Sequence, residues 1–557
     1  MTTDIIDPTE KFWSTRRTAL FDQTHLDHCN QTIPELINKS CTTYRNKPAF
    51  SNDGHTITWG EVDNLSARLA SFLQNHTQLK KGDRVVVQLP NLLQHPIICL
   101  GVIRGGFILV NANPMYTPTE TIHVLRDSGA KAWFPLVSDK KTTEKVLAEI
   151  EIPHVIYSSP KDLHPTGKSL ASDDLQYALK KGAELPYLEP SLSPEDSAVL
   201  QYTGGTTGVS KGAVLSHLNL VTNLVQVHES FPKTTMGNGS ETQMTPLPLY
   251  HIYSFTCCTL LCMYSGNHSV LITNPSDIKG FITELKKWSF TGFTGLNTLF
   301  VALCSDRDFK DVDFSHLKYT TAGGMAVTRD AAQNWQKITG STVAEGYGLT
   351  ETSPVLTMNH QDDIRQGTIG RPMPLTSIKL VDNDGNDIPL GKGDTSGEIC
   401  AKGPQVMSGY WRNPEANQKS FLQDNWFRTG DIGTIDGDGF IKIVDRKKDM
   451  ILVSGFNVFP GELENALCDH AQVNECAAIG TPDPRTGEVV SIYVVRSNPQ
   501  LTSEEVKGFL RSRLTSYKIP KYVHFVEDLP KSPVGKILRR ELRESADNLR
   551  QNSLETP

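Results

Sequence analysis

No two of the ten cysteines stand in a C-x-x-C spacing, so neither a zinc site nor a disulfide framework is indicated. Free thiols suit a reducing cytosol. No basic excess is present: the net charge is -7, which argues against a nucleic-acid polymer as partner. The opening "MTTDIIDPTEKFW" is acidic and has no apolar core, which argues against a signal peptide. No apolar run is long and clean enough to span a bilayer. The richest, "HPIICLGVIRGGFILV", is broken by Arg104 and two glycines and reads as a core helix followed by a strand. No tandem repeat or low-complexity tract stands out. No stretch matches G-x-x-x-x-G-K-[ST], so the chain is not a Walker A nucleotidase and a kinase-like or P-loop reading is disfavoured.

What is there is a long, ordinary globular composition, 38% hydrophobic and 21% charged over 557 residues, enough for two to four domains. The first ~440 residues alternate β-rich runs with amphipathic helices, an α/β pattern. Thr58 and Glu61 form a capping box before a helix with Val62, Leu65, Leu69 and Leu73 on one face. "DRVVVQLP" reads as a buried strand. Ser216 caps a helix bearing Leu220, Val221, Leu224 and Val225. Near residue 445 the texture changes. "GFIKIV" and "MILVSG" are short strands around "DRKKD", five consecutive charges expected to form an exposed joint. A smaller α+β pattern follows: Pro460 opens one helix, and Thr502 with Glu505 caps another. This predicts a large domain over 1–447 and a small one over 448–557, with a frayed polar tail.

Between the strand readings "AVLQYT" and "GAVLSH" lies "GGTTGVSKG". Glycines let backbone N–H groups surround phosphate oxygens, threonine hydroxyls add donors, and Lys211 adds a point charge. Alone, such a loop is a weak signal and is also read as a surface turn. It does not stand alone. "YTGGTTGVSKGAVLSH", "PLPLYHIYSF", "TTAGGMAV", "GYGLTETSP", "FRTGDIG", "GFIKIVDRKKDMILVSGFNVFPGELE" and "PKSPVGKILRREL" follow one another in this order. Together they resemble the adenylate-forming superfamily of acyl-CoA synthetases, luciferases and peptide-synthetase adenylation domains, from about residue 30 to 543. Within it the likeness is greatest to bacterial long-chain fatty-acid–CoA ligases.

The resemblance implies an α/β fold, with a large N-terminal domain of β-sheets flanked by helices, a small β-barrel-like subdomain, and a mobile α+β C-terminal domain. It implies that ATP and a fatty acid give acyl-AMP and pyrophosphate, and that coenzyme A then takes the acyl group. Thr203, Gly204, Gly205, Thr206, Thr207, Gly208 and Lys211 would hold the β- and γ-phosphates. Ser210 stands where relatives commonly carry proline. Tyr347 and Gly324 would meet the nucleotide, Thr350 the phosphate, and Glu351 a Mg2+ ion. Asp431 would accept from the ribose hydroxyls, and Arg446 would bond ribose or phosphate. Lys536 would bridge the substrate carboxylate and the α-phosphate. Lys448 matches a hinge, and Ser454 and Gly455 a channel for the pantetheine thiol. His251, Gly292, Gly295 and Gly323 would border the acyl slot, the glycines leaving volume. His251 reads as a gate, as a group orienting the carboxylate, or as a core or capping histidine.

Other readings stay open on these residues: a medium-chain or aryl-acid CoA ligase, a fatty acyl-AMP ligase serving a carrier protein, or a non-catalytic nucleotide-binding protein of the same fold. Long-chain acids partition into bilayers, which leaves room for transient contact of a cytoplasmic protein with a membrane surface. The acidic net charge gives that contact no electrostatic help. The motifs set no oligomeric state.

Overall fold

The computed structural model describes residues 8–19, 21–163, 173–203, 210–232, 236, 239–393, 395–454, 456–483, 485–531 and 536–554. The chain gathers into two compact units. By their described residues, one comprises 8–203, Ser210–Ser377 and Ala401–Phe427; the other comprises Ile378–Cys400 and 428–554. The boundary expected after residue 447 therefore falls inside the second unit.

Two sheets organise the first unit. The larger runs in the order Arg371–Pro372, Val355–Met358, Val343–Gly348, Tyr319–Ala322, Gly292–Gly295, Thr242–Thr245, His268–Leu271, Pro48–Asn52, His55–Thr58. Its central pairs are parallel, as helical crossovers require. The other runs Gly409–Tyr410, Lys211–Ser216, Ser197–Thr203, Ile108–Asn111, Arg84–Gln88, Ala132–Pro135, His154–Val155. Strands such as Ile108–Asn111 are buried at every position, and parallel sheets covered on both faces give such unalternating apolar runs.

Local signals in the sequence become local structure. Thr58 and Glu61 close their capping box at the head of Trp59–Asn75, whose Val62, Leu69 and Leu73 are buried. The run around Cys99 is a wholly buried helix, Gln94–Arg104. Its one charge, Arg104, meets Asp63 at 2.7 Å. No helix among the described residues is long and apolar enough to cross a membrane.

In the second unit, one five-stranded sheet runs Asp387–Ile388, Ser377–Val381, Gly397–Lys402, Phe427–Ile435, Ile441–Arg446. Another pairs Phe456–Val458, Ile451–Val453, Gly487–Arg496 and Val473–Asp483 in that order, with Tyr522–Phe525 alongside Gly487–Arg496. Helices Pro460–Cys468 and Ser503–Arg511 supply Leu463, Leu467, Val506 and Leu510 to the small core. The tail departs from the frayed expectation. Its backbone is helical over Arg539–Leu554, because Leu542 and Ala546 bury themselves against Ala477, Ile479 and Tyr493.

The charged run 445–449 also departs from expectation: it is not exposed throughout. Asp445 and Asp449 are buried. Asp445 accepts from the backbone of Gly461 at 2.6 Å and of Arg446 at 2.7 Å, and Asp449 from Arg543 at 2.8 Å. Buried carboxylates stand where N–H donors and cations meet them, and here Gly461 and Arg543 come from other parts of the chain.

Candidate functional site

The loop expected to hold phosphates is framed by a hairpin. Ser197–Thr203 and Lys211–Ser216 pair antiparallel, with Thr203 opposite Lys211. Gly204, Gly205, Thr206, Thr207 and Gly208 lie outside the described residues, as does Gly455. Just before the second strand of the hairpin, Ser210 is held: His123 donates from Nε2 to its carbonyl at 2.8 Å. The position without proline is thus fixed by a side chain from Pro118–Ser128.

Ser216 ends the hairpin and caps helix His217–Glu229, accepting from Asn219 N at 3.1 Å. That helix organises the neighbouring segments. Asn223 donates to Val355 O at 2.7 Å and accepts from Val355 N at 2.9 Å, pinning the chain after "TETSP". Asn219 Nδ2 reaches Pro404 O at 2.7 Å and Val406 O at 3.0 Å. Met407 N in turn donates to the carbonyl of Glu351 at 2.8 Å.

Glu351 and Thr350 sit in the short turn Thr350–Thr352, directly after the strand that carries the half-buried Tyr347. Glu351 is 9% exposed. Its Oε1 accepts a hydrogen bond of 2.7 Å from the hydroxyl of Tyr410. The ring of the same tyrosine lies 5.1 Å from Lys211 Nζ, within cation–π range. Tyr410 occupies the two-residue strand Gly409–Tyr410, which adds to the edge of Lys211–Ser216. One side chain therefore touches both the lysine of the glycine loop and the acid of "TETSP". Burial, then the Glu351 charge, pushes the Tyr410 phenol above its ordinary range, so it stays a donor at neutral pH. Sequence reading missed Tyr410. Its only local sign is the "GYW" aromatic pair.

A carboxylate held by a hydroxyl rather than by a cation keeps lone pairs for a hard metal ion, so Glu351 fits the Mg2+ expectation.

In the second unit Asp431 and Arg446 face each other across paired strands, Phe427–Ile435 and Ile441–Arg446. Arg446 Nε lies 3.3 Å from Asp431 Oδ1, and Asp431 is 4% exposed. Lys447 N bonds Gly430 O at 2.9 Å, tying the charged run back to "RTGD". Arg428, which carried no expected role, grips Glu398 through Nε and Nη2, and Lys447 joins them at 3.0 Å. Burial raises the Glu398 pKa, but the two cations prevail and hold it below the usual carboxylate value. Lys448 is exposed, and Lys536 is half-buried just before the bridge residue Ile537. Ser454 takes φ +52° after strand Ile451–Val453, and its N–H bonds Thr486 O at 2.8 Å. A left-handed conformation at a non-glycine residue is uncommon and marks a constrained turn.

The acyl-slot residues come out differently from the picture of open volume. Gly292, Gly295 and Gly323 are buried. A Cβ at Gly292 would overlap the Tyr319 ring, one at Gly295 would press on Phe300 and Phe293, and one at Gly323 would meet Tyr253 at 3.1 Å. The protein's own rings fill the space these glycines leave. Gly324 has φ +79°, a conformation glycine adopts without strain. His251 N-caps the one-turn helix Ile252–Ser254, Nδ1 accepting from Tyr253 N at 3.3 Å. The chain then widens into a π-helical turn over Phe255–Leu260, where Cys257 and Cys258 are buried core.

Known proteins resemble this chain over most of its length. Residues 37–411 match the family model "AMP-binding enzyme", and residues 462–536 match "AMP-binding enzyme C-terminal domain". A long-chain-fatty-acid–CoA ligase of Escherichia coli O6:H1 is 45% identical over 536 residues, 93% of this chain and 95% of the relative. The enzyme of that name from Haemophilus influenzae is 42% identical, covering 92% and 94%. Among solved structures, ATP-bound MatB from Rhodopseudomonas palustris superposes with a TM-score of 0.84 at 28% identity, covering 93% of this chain and 100% of MatB. With both family models matched in order and the likeness running through almost the whole length, this chain belongs to the AMP-binding enzyme family.

Proposed function

We propose that this protein is a long-chain fatty-acid–CoA ligase. In the first half-reaction a carboxylate oxygen attacks the α-phosphorus of ATP, the bond to the β-phosphate bridging oxygen breaks, and acyl-AMP and pyrophosphate result. In the second, the thiol of coenzyme A attacks the acyl carbonyl, the C–O bond to AMP breaks, and AMP leaves. The observation that carries this reading is the near full-length likeness to bacterial ligases of that name.

The physical obstacle is repulsion between a carboxylate and a triphosphate, and fixed positive charge answers it. Thr203 and Lys211 flank the loop that would receive the β- and γ-phosphates. Tyr410 bonds the Glu351 carboxylate, whose remaining lone pairs would serve as an oxygen ligand for Mg2+. Mg2+ there would neutralise charge on the phosphate oxygens. Asp431, oriented by Arg446, offers its remaining lone pairs to the ribose hydroxyls. Lys536 would supply the ammonium that draws the two anions together. Lys448 would be the pivot between a domain of residues 1–447 and one of 448–557, and Ser454 with Gly455 would border the thiol path once Lys536 withdraws. His251 and the glycine-bordered segment would lie at the acyl slot. A cytoplasmic location with transient membrane contact fits a substrate that partitions into bilayers.

The test is product analysis. Purified protein with Mg-ATP, coenzyme A and a series from acetate through octanoate to palmitate and oleate, plus aryl acids, should release AMP and pyrophosphate, with the highest kcat/KM for the long chains. ADP as product would reject the reaction class. An aryl-peaked profile would reject the acyl specificity.

A further inference from the structure

The sulfurs of Cys468 and Cys476 lie 3.9 Å apart, in van der Waals contact. Other thiols here are engaged differently: Cys258 accepts from Gln243 at 3.2 Å, and Cys262 donates to the same side chain at 3.6 Å. Cys468 is the last residue of helix Pro460–Cys468 and is partly exposed, whereas Cys476 is 5% exposed in strand Val473–Asp483. A disulfide needs the sulfurs at about 2.05 Å, so they must close by roughly 2 Å. Both ends sit where the backbone can yield. Cys468 ends its helix, and the pairing of the Cys476 strand with Gly487–Arg496 is already irregular between Val473 and Glu475. Only the short stretch 469–472 separates helix from strand, so closure needs no rearrangement of larger parts.

We propose that Cys468 and Cys476 are an oxidation site, a thiol pair that hydrogen peroxide converts to a reversible disulfide. The partly exposed Cys468 thiolate attacks a peroxide oxygen. An S–O bond forms, the O–O bond breaks, and hydroxide leaves with the thiol proton as water. Cys476 sulfur then attacks Cys468 sulfur. The S–S bond forms, the S–O bond breaks, and the leaving hydroxide takes the Cys476 proton as a second water. Two thiols are oxidised and one peroxide is reduced, with nothing left over. The roles follow from the surroundings. Cys468 is the partly exposed thiol that peroxide can reach, which makes it the attacking group, while Cys476 is buried and donates its S–H to the carbonyl of Glu464 at 3.6 Å, which keeps it protonated until the sulfenic acid forms beside it.

The bridge would brace a helix that already anchors the chain after Lys536. Glu464, one turn before Cys468, accepts from Ala478 N at 2.7 Å and from Arg539 at 2.7 and 2.8 Å. A covalent tie between the same helix and strand shares the load of that contact. Its formation stands apart from the proposed ligase activity, because it is read without substrate.

The experiment treats the reduced full-length protein with one equivalent of hydrogen peroxide, blocks remaining thiols, and maps peptides by mass. The expected result is one joined species linking the Cys468 and Cys476 peptides, lighter by two hydrogens and restored by dithiothreitol. It should be absent from Cys468→Ser. In Cys476→Ser, dimedone should label Cys468 instead. Conversion of wild-type Cys468 to sulfinic acid without bridging, or bridging of other cysteines in preference, would overturn the proposal. Because the deciding measurement is made on the wild-type protein, poor folding of a variant leaves the test intact.

Discussion

Tyr410 and Glu351 are joined by a 2.7 Å hydrogen bond while the same tyrosine ring lies under Lys211. The hydroxyl holds Oε1 of the carboxylate, and the ring lies within cation–π range of the lysine. Tyr410→Phe separates the two effects, since it keeps the ring and removes the donor. A hydrogen bond to a charged group contributes about 1.5–3 kcal/mol, so at about 1.4 kcal/mol per decade the variant should need roughly tenfold more Mg2+ or above for half-maximal pyrophosphate release. Affinity for metal-free nucleotide should barely move. An unchanged Mg2+ titration would remove Tyr410 from the site.

What is legible in the sequence depends on where each partner lies in the chain. Thr203 and Lys211 are readable because a hairpin brings neighbours in sequence together. Asp431 and Arg446 are readable as separate motif residues, but their pairing comes from strand register, which local spacing does not state. Tyr410 escapes notice because a two-residue strand joins the edge of a distant hairpin. The burial of Asp449 is equally hidden: its partner Arg543 lies 94 positions away, so the run looks like five solvated charges. The glycines expected at the acyl slot read in the sequence as leaving open volume. The rings that approach them belong to other strands and helices and cannot be named from the sequence.

Gly292 tests that last point. Because a Cβ there would overlap the Tyr319 ring on the neighbouring strand, Gly292→Ala should act first on packing. Overpacking costs about 1–3 kcal/mol, and thermal unfolding should fall by several degrees. If instead stability holds while the acyl-chain optimum shortens, the glycine borders the slot and not the Tyr319 ring alone.

Asp445 gives a pH signature. Burial raises its pKa from 3.8 to about 6, although the Gly461 and Arg446 N–H groups pull the other way. The folded state therefore binds this proton more tightly than the unfolded chain. The resulting stabilisation is full below the unfolded value and is lost as pH rises through about 6. At about 1.4 kcal/mol per pKa unit, the gap corresponds to roughly 3 kcal/mol. Asp445→Asn cannot titrate, so the stability difference between wild type and variant should shift towards wild type as pH falls from 7 towards 4 in denaturant unfolding. A difference independent of pH would show that Asp445 ionises as it does in an unfolded chain.

Lys536 is assigned to the step in which charge repulsion is greatest. Lys536→Ala should reduce pyrophosphate release from palmitate and Mg-ATP by several orders of magnitude. It should leave the transfer of a supplied palmitoyl-AMP to coenzyme A within a few-fold of wild type. Equal loss in both half-reactions would assign the lysine to folding or to general binding.

Lys448 is exposed in a segment whose two flanking acids are anchored. Asp445 is held by Gly461 N, and Asp449 by Arg543. A pivot needs fixed ends and one residue between them whose φ and ψ are free to change. Proline removes that freedom by locking φ near -65°. Lys448→Pro should therefore spare acyl-adenylate formation if the locked form holds Lys536 in place, and depress thioester formation far more. Rapid-quench measurement of the two half-reactions separates these effects. Equal slowing of both would mean that the substitution disturbs the anchored acids rather than a hinge, and rates unchanged in both would place the pivot elsewhere in the chain.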